Sequence, residues 1–186
     1  DVAIEPMGDW PRITTERQHL ATYFRRAGYF TGALVETDFL FNQPALLSPF
    51  DVHMSVLGGL KPSAASRLAR RQEFLARIPT DRPRFIWIHV LDAHAPYDGP
   101  GLPRDAYRHG VEHGTDQTLT QLLAMEQLTR DSVVVVSADH GESLNERGGQ
   151  GHGVNLHIEE VAIPLFVRWP NGRALVDDTR FVTLDN

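Results

Sequence analysis

The sequence predicts an α/β fold, a three-layer αβα arrangement whose sheet is mostly parallel. Four short apolar runs are typical of buried strands, and they lie at residues 31–36, 84–90, 132–137 and 163–169. Helical patterns separate the first three of these runs. Because continuous apolar strands that alternate with helices occur mainly in parallel sheets covered on both faces, this order of elements favours the α/β class.

Three helices are predicted from apolar residues at helical spacing. The first runs from a cap at Thr14 or Thr15 to a stop at Gly28. The second covers residues 63–78, and the third falls within residues 105–128. With the strands between them, these helices complete the alternating order on which the fold class rests.

Length and composition fit one globular domain over residues 1–186, since this length supplies a sizeable core. The formal net charge of −6 argues against a nucleic-acid partner, and the absence of cysteine excludes disulfides and thiolate metal sites. No apolar run is long enough to span a bilayer, so a membrane partner is not indicated in this segment. Residues 39–62, rich in Pro and Gly, are expected to be loop with a short helical turn.

The third predicted strand ends in residues that suit a metal ion. Asp139 and His140 follow it directly, and a carboxylate oxygen with a neutral imidazole nitrogen can bind a divalent cation. Gly141 would permit the turn that lets both side chains reach one ion. The alternative is that Asp139 caps a helix starting near Gly141 and that His140 merely packs there.

Further polar residues lie near the ends of predicted strands. His152 stands between two glycines, which would let the backbone approach a ligand closely, although a flexible surface loop is the plainer interpretation. His89, Asp92 and His94 lie at or just past the end of the second strand. Because parallel sheets bind ligands at the carboxyl ends of their strands, two such ends rich in Asp and His indicate one site.

Other motifs carry less weight. His109 and His113 are four residues apart, but Gly110 stands where a helical zinc-protease motif needs Glu. We therefore expect both to be exposed helix histidines, while a zinc hydrolase that uses them remains an alternative. The glycine clusters lack the spacing of a phosphate-binding loop, which argues against a P-loop nucleotide site.

Several segments in order resemble the sulfatase branch of the alkaline-phosphatase-like superfamily. They are "LATYFRRAGYFTGAL", "IHVLDAHAPY", "VVVVSADHGESLNERGGQGHG" and "LHIEEVAIPLFVRWP". That superfamily also includes phosphonate monoester hydrolases, phosphodiesterases and phosphoglycerol or phosphoethanolamine transferases. The resemblance implies an alkaline-phosphatase-like fold and hydrolysis of a small-molecule sulfate ester, with a phosphate ester, phosphonate or transfer reaction as the alternative.

The resemblance also implies roles for four residues. Asp139 and His140 match a late pair of ligands to a divalent metal, for which Ca, Mn and Zn are candidates. His94 matches a histidine that contacts the transferred group, and His152 matches a residue beside the leaving group, so both are expected to bind substrate and take part in catalysis. His at position 140, where many sulfatases have Asn, is closer to the phosphonate and phosphodiester hydrolases.

Three departures from the family pattern shape the expectations. The chain has no Cys/Ser-x-Pro-x-Arg nucleophile segment and no early Asp-Asp metal ligands, and "LVETDF" replaces a family Gly-Lys-Trp-His. We therefore expect a fragment, the middle and late part of one catalytic domain, which is inactive by itself. Its parent protein would be periplasmic, secreted or membrane-tethered. The alternative from another class is a short non-catalytic relative that binds an anion or a partner.

Overall fold

The computed structural model describes residues 4–7, 10–13, 18–56, 63–97 and 101–170. It confirms a mixed α/β fold with a parallel sheet. The chain forms two compact units, residues 1–92 and 93–186, and each is described by itself. None of the helices in the described part of the chain is long and apolar enough to cross a membrane.

The first unit contains five strands and four helices among its described residues. In chain order they are β1 (Ile4–Met7), β2 (Trp10–Ile13), α1 (Leu20–Arg26), β3 (Phe30–Val35), α2 (Asp38–Phe41), α3 (Pro44–Leu47), β4 (Val52–Ser55), α4 (Ala64–Ala76) and β5 (Arg84–Ile88). β1 and β2 pair antiparallel, while β4, β3 and β5 form a parallel sheet in that order. In its register, Gly32 of β3 faces Val52 on one side and Ile86 on the other.

The central position of β3 explains its unbroken apolar sequence. All six of its residues are buried, because strands flank it on both edges and helices pack nearby. Its Ala33 joins a core cluster with Ala21 of α1, Leu47 of α3 and Phe50. Both faces of such a strand are buried, so polar and apolar residues do not alternate along it. The apolar run therefore predicted the strand β3 correctly.

A buried ionic network lies where β3 ends. The carboxylate of Glu36 is fully buried and accepts a hydrogen bond from Arg71 of α4 at 2.7 Å. It also accepts the backbone N–H of Leu91 at 3.2 Å, while Arg67 of α4 pairs with Asp92. These contacts tie α4 to the segments that follow β3 and β5, and they give Asp92 an ion-pair partner on α4.

The helix boundaries follow from their caps. α1 ends before Gly28, as predicted. The φ of Gly28 is +85°, a backbone conformation that glycine adopts without strain. Its described start is Leu20, with His19 at the N-cap; the predicted caps Thr14 and Thr15 lie outside the described residues. The Ser63 side chain accepts the Ser66 N–H at 3.1 Å and thus caps α4, which confirms the second predicted helix.

The prediction of loop for residues 39–62 was wrong in part. The segment contributes most of α2, all of α3, and the strand β4. β4 is only four residues long, so its apolar and polar residues alternate over too short a stretch to mark it as a strand. Its conformation is fixed by pairing with β3, a tertiary effect that local sequence does not show.

The second unit holds the remaining described elements. They are α5 (Pro103–Gly110), a π-helical turn (Val111–Thr115), α6 (Asp116–Leu123), α7 (Glu126–Thr129), β6 (Val134–Ser137), β7 (Ser143–Leu144), β8 (Gln150–Gly151), α8 (Ile158–Val161) and β9 (Leu165–Arg168). α5, the π-turn and α6 are continuous, so the third predicted helix is confirmed. β6 pairs antiparallel with β9, and β7 pairs antiparallel with β8.

The expectation that β6 is a fully buried strand was wrong. Val133 and Val135 are about half exposed, while Val134 and Val136 are partly buried. Exposure therefore alternates along β6, as in an antiparallel pair with one face toward solvent. The run of valines did not distinguish this arrangement from a strand covered on both faces.

Candidate active site

Three imidazoles of the second unit lie together. His140 follows β6, His152 follows β8, and His94 belongs to the segment before α5. The rings of His140 and His152 stack with their centroids 3.7 Å apart and an interplanar angle of 26°. The ring of His94 meets that of His152 edge-on at 6.1 Å. The structure thus brings together three of the four residues to which the resemblance gives roles, and the fourth, Asp139, directly precedes His140 in the chain.

The hydrogen bonds of these rings leave the same atom free on each. Nδ1 of His140 lies 2.7 Å from the carbonyl oxygen of Gly141, and Nδ1 of His94 lies 2.6 Å from that of Ala95. Nδ1 of His152 lies 3.3 Å from Glu142 Oε1. Because a carbonyl or carboxylate oxygen only accepts, each Nδ1 must carry the proton and donate it. Each Nε2 is then left to meet a metal or a substrate.

Asp139 and His140 are arranged as donors to one cation. Asp139 Oδ1 lies 3.7 Å from His140 Nε2, and the Asp139 side chain is 80% exposed. The same oxygen accepts the His140 backbone N–H at 3.1 Å. The alternative that Asp139 caps a helix is wrong, because the next element after it is the strand β7. One oxygen and one nitrogen donor on adjacent residues fit a divalent ion.

The described residues do not complete a metal site by themselves. Among them, no group of three or more His, Asp or Glu side chains is arranged to hold an ion. Catalytic metal sites usually take three protein ligands. Asp139 and His140 would therefore be only part of a coordination sphere, and their assignment as metal ligands remains a prediction.

Gly141 is required for a reason other than the predicted turn. Its φ is not positive; instead, its backbone lies directly against α8. Its N–H donates to the carbonyl of Glu160 at 2.8 Å, and an added Cβ would lie 2.2 Å from the carbonyl oxygen of Glu159. The close approach of two backbones thus fixes the position of the residue that follows His140.

The glycines beside His152 supply left-handed backbone. Gly151 has a φ of +91° and Gly153 a φ of +78°, so a side chain at either position would be strained. The backbone after them is held by Glu160, whose carboxylate accepts the N–H groups of Val154 and Asn155 at 3.3 and 3.1 Å. The Asn155 N–H is the largest cause that lowers the pKa of Glu160. The backbone just after His152 is therefore held by Glu160, while the role of His152 itself stays a prediction.

Sequence reasoning missed the residues that support His152. The Glu142 side chain is 9% exposed, and besides its contact with His152 its charge acts on the phenol of Tyr97. Burial raises the pKa of Tyr97 to about 12, and the charge and hydrogen bond of Glu142 add to that shift. Burial, followed by the Glu142 charge, also raises the pKa of Tyr107, whose ring meets Tyr97 edge-on at 5.6 Å. Both phenols thus stay protonated and surround the carboxylate.

A signal for Glu142 was present in the sequence. It stands three residues after Asp139, so a carboxylate close to two candidate ligands could have been suspected. Tyr97 and Tyr107 are ten residues apart and belong to different segments. Only the fold brings these two rings together.

The remaining candidates take other places. His89 follows β5, where its backbone N–H bonds the carbonyl of Leu34 at 2.8 Å, and Asp92 pairs with Arg67. Both belong to the first unit, where Asp92 has a structural partner. His109 and His113 are exposed on the helix of the second unit, as expected.

Comparison with known proteins identifies the family. A family model described as Sulfatase matches residues 3–185. Among solved structures, the chain is similar to the C-terminal periplasmic domain of EcEptC from Escherichia coli in complex with Zn, with 19% sequence identity and a TM-score of 0.59. That match covers 80% of this chain and 51% of the other, so the chain spans about half the length of that structure.

The likeness to the EcEptC domain shows the fold, which is alkaline-phosphatase-like and agrees with the architecture expected from the sequence. No curated protein matches the sequence significantly. Since the family model covers nearly all of the sequence, the chain belongs to the sulfatase family.

Proposed function

We propose that the protein uses Asp139 and the three imidazoles for a metal-assisted displacement at the sulfur or phosphorus of an ester. The observation that carries this proposal is the common state of the rings of His94, His140 and His152. Each has its Nδ1 proton engaged by an oxygen acceptor, which leaves its Nε2 to meet a ligand. Together with one exposed carboxylate, this set suits a cation and an anionic ester group.

The Asp139 carboxylate and His140 Nε2 would hold the metal. A bound divalent ion supplies polarisation of the transferred group and activation of the nucleophile. A nitrogen donor favours Zn or Mn over Ca, which takes oxygen ligands. The Zn complex of the similar EcEptC domain supports Zn as the first ion to test. The hydrogen bond from His140 Nδ1 to the Gly141 carbonyl orients the ring for this role.

His94 and His152 would act on the ester itself. As imidazolium ions, with a proton on Nε2 as well as on Nδ1, His94 would donate to a non-bridging oxygen of the transferred group and His152 would stabilise or protonate the leaving oxygen. The Glu142 carboxylate holds the His152 ring by its Nδ1, and the Glu142 charge also raises the pKa of Tyr97. The Tyr97 hydroxyl remains a donor throughout the usual assay range, because its pKa is raised to about 12.

Two substrate classes have support from different observations. The family match supports hydrolysis of a sulfate ester. The imidazole at position 140, where the resemblance is closer to phosphonate and phosphodiester hydrolases, supports chemistry on a phosphodiester or phosphonate, either as hydrolysis or as transfer to an alcohol. The geometry of the imidazoles serves both, because sulfate and phosphate esters present similar tetrahedral oxyanions.

The test is a matched pair of substrates assayed with the full-length protein. Aryl sulfate and aryl phosphodiester with the same aryl group are compared after chelation and after addition of Zn, Mn or Ca. Glycerol added as an acceptor separates transfer from hydrolysis through the products. We expect turnover that depends on metal and is lost in Asp139→Ala, while His157→Gln, a change at an exposed histidine outside the cluster, keeps it.

Three results would contradict the proposal. Turnover without metal would remove the role of Asp139 and His140. Anion binding without any turnover would favour a non-catalytic relative. Turnover that survives Asp139→Ala and is lost in His109→Gln would place the chemistry at the other histidine pair.

A further inference from the structure

A second pair of imidazoles lies close together outside the cluster around His152. The rings of His109 and His113 have their centroids 4.2 Å apart with an interplanar angle of 56°. His109 is near the end of α5, and His113 lies in the π-helical turn that follows. Both side chains are exposed, and neither ring makes a hydrogen bond to a described residue. The four ring nitrogens are therefore open to a ligand from solvent.

The backbone between these residues departs from an ordinary helix. The N–H of Asp116 bonds the carbonyl of Val111, a spacing of five residues that defines the π-turn. Such turns occur mostly as single insertions into α-helices and are frequent at functional sites. Thr115, inside the turn, has a buried hydroxyl oxygen that lacks a hydrogen-bond partner among the described residues. The irregular backbone and the unpaired Thr115 hydroxyl thus lower the stability of the turn. An ion bound to residues of this helix would offset part of that loss.

We propose that His109 and His113 form a two-imidazole chelate for a divalent transition-metal ion. Histidines four apart on one helix face are the arrangement that presents two nitrogens to one ion. Imidazole suits Cu, Ni and Zn, whereas Ca and Mg take oxygen ligands. Water completes the coordination sphere, since no third His, Asp or Glu of the described residues joins the pair. One ligand lies in α5 and the other in the π-turn. A bound ion would therefore link the two parts of the helix and stabilise the irregular segment between them.

The experiment titrates the full-length protein with Ni²⁺ by calorimetry, using exposed single substitutions that leave the fold intact. His109→Gln and His113→Gln should each weaken Ni²⁺ binding at this site by about tenfold or more, because the chelate is reduced to one ligand. His157→Gln is the matched control, as an exposed histidine without a ring neighbour, and it should bind as the wild type does. His140→Gln tests the other cluster, and it should leave this site unchanged.

Two further measurements locate the bound ion without relying on its affinity. Paramagnetic Cu²⁺ should broaden the imidazole NMR signals of His109 and His113 at the lowest added concentration. Hydrogen exchange of the amides in residues 111–119 should slow when Ni²⁺ is bound.

Equal Ni²⁺ affinity in the wild type and in both Gln variants would overturn the proposal. The same holds if only one of the two histidines matters, because a chelate needs both. Equal binding of Ca²⁺ would show a site of another chemistry and would also overturn it.

Discussion

Gly141 offers the most direct test of how the candidate site is built, through the substitution Gly141→Ala. The added Cβ would lie 2.2 Å from the Glu159 carbonyl oxygen and 3.1 Å from that of Ala162. Ordinary contacts require the gap to the Glu159 oxygen to open by about 1 Å, and both sides of that gap are backbone. Overpacking of this kind costs about 1–3 kcal/mol, which corresponds to a Tm lower by a few degrees.

The functional effect of this change should exceed its effect on stability. A displacement of about 1 Å at a catalytic group can cost on the order of 100-fold in rate. Because the carbonyl of Gly141 holds His140 Nδ1, movement of this residue reorients a predicted metal ligand. We therefore expect weaker metal binding and a kcat reduced by one to two orders of magnitude, measured by metal titration and steady-state kinetics on the full-length protein.

Gly149→Ala is the matched control for Gly141→Ala. Its φ is not positive, and a Cβ there would meet only the Ser143 side-chain oxygen at 3.6 Å, an ordinary contact. It should keep the Tm, the metal affinity and the kcat of the wild type. If Gly141→Ala matched Gly149→Ala in all three measurements, the close approach to α8 would have no bearing on the site, and the reasoning would fail.

Three further predictions follow from the contacts described. Asp139→Ala should reduce metal content and activity together, by about tenfold or more, while Asp105→Ala, at an exposed position on α5, should change neither; unchanged metal stoichiometry in Asp139→Ala would contradict this. Arg71→Met should destabilise the protein by about 3 kcal/mol in denaturant unfolding, because the buried Glu36 loses its partner at 2.7 Å and keeps only the more distant Arg67 at 3.9 Å; Arg82→Met, which removes an exposed contact to Asp51 at 3.8 Å, should cost less than about 1 kcal/mol. Glu160→Gln should lower stability at neutral pH, since the pKa of Glu160 is lowered in the fold; the loss should shrink as pH falls below the ordinary carboxyl range and vanish below the folded pKa, and a difference independent of pH would refute it.

The sequence predicted those parts of the fold that depend on local pattern. β3 and α4 carry their own signals, an apolar run in the first case and a capped amphipathic stripe in the second. β4 has no such signal, because its conformation depends on pairing with β3. The exposure of Val133 and Val135 was also hidden, because an apolar run looks the same whether one face or both are covered.

The histidines of the candidate site were predicted while their supports were not. An Asp-His pair after a strand and a His between glycines are visible as motifs, since few residue types serve as ligands. Glu142 contacts His152 and acts on the pKa of Tyr97, and both effects depend on the tertiary arrangement. The roles of the glycines were reversed for the same reason: Gly141 is needed for close approach, whereas Gly151 is needed for its positive φ.

The short helix α8 contacts the segments that carry both His140 and His152. A helix of four residues has almost no stability of its own, so its conformation must come from its contacts. Those contacts reach both sides of the site. The backbone carbonyl of Glu160 accepts the N–H of Gly141, the residue after His140. The side-chain carboxylate of Glu160 accepts the N–H groups of Val154 and Asn155, which follow His152 closely. Arg147, in the turn between β7 and β8, pairs with Glu159. One helical turn thus anchors the segments that carry both rings. A substitution that moves α8 should therefore displace the stacked rings of His140 and His152 together.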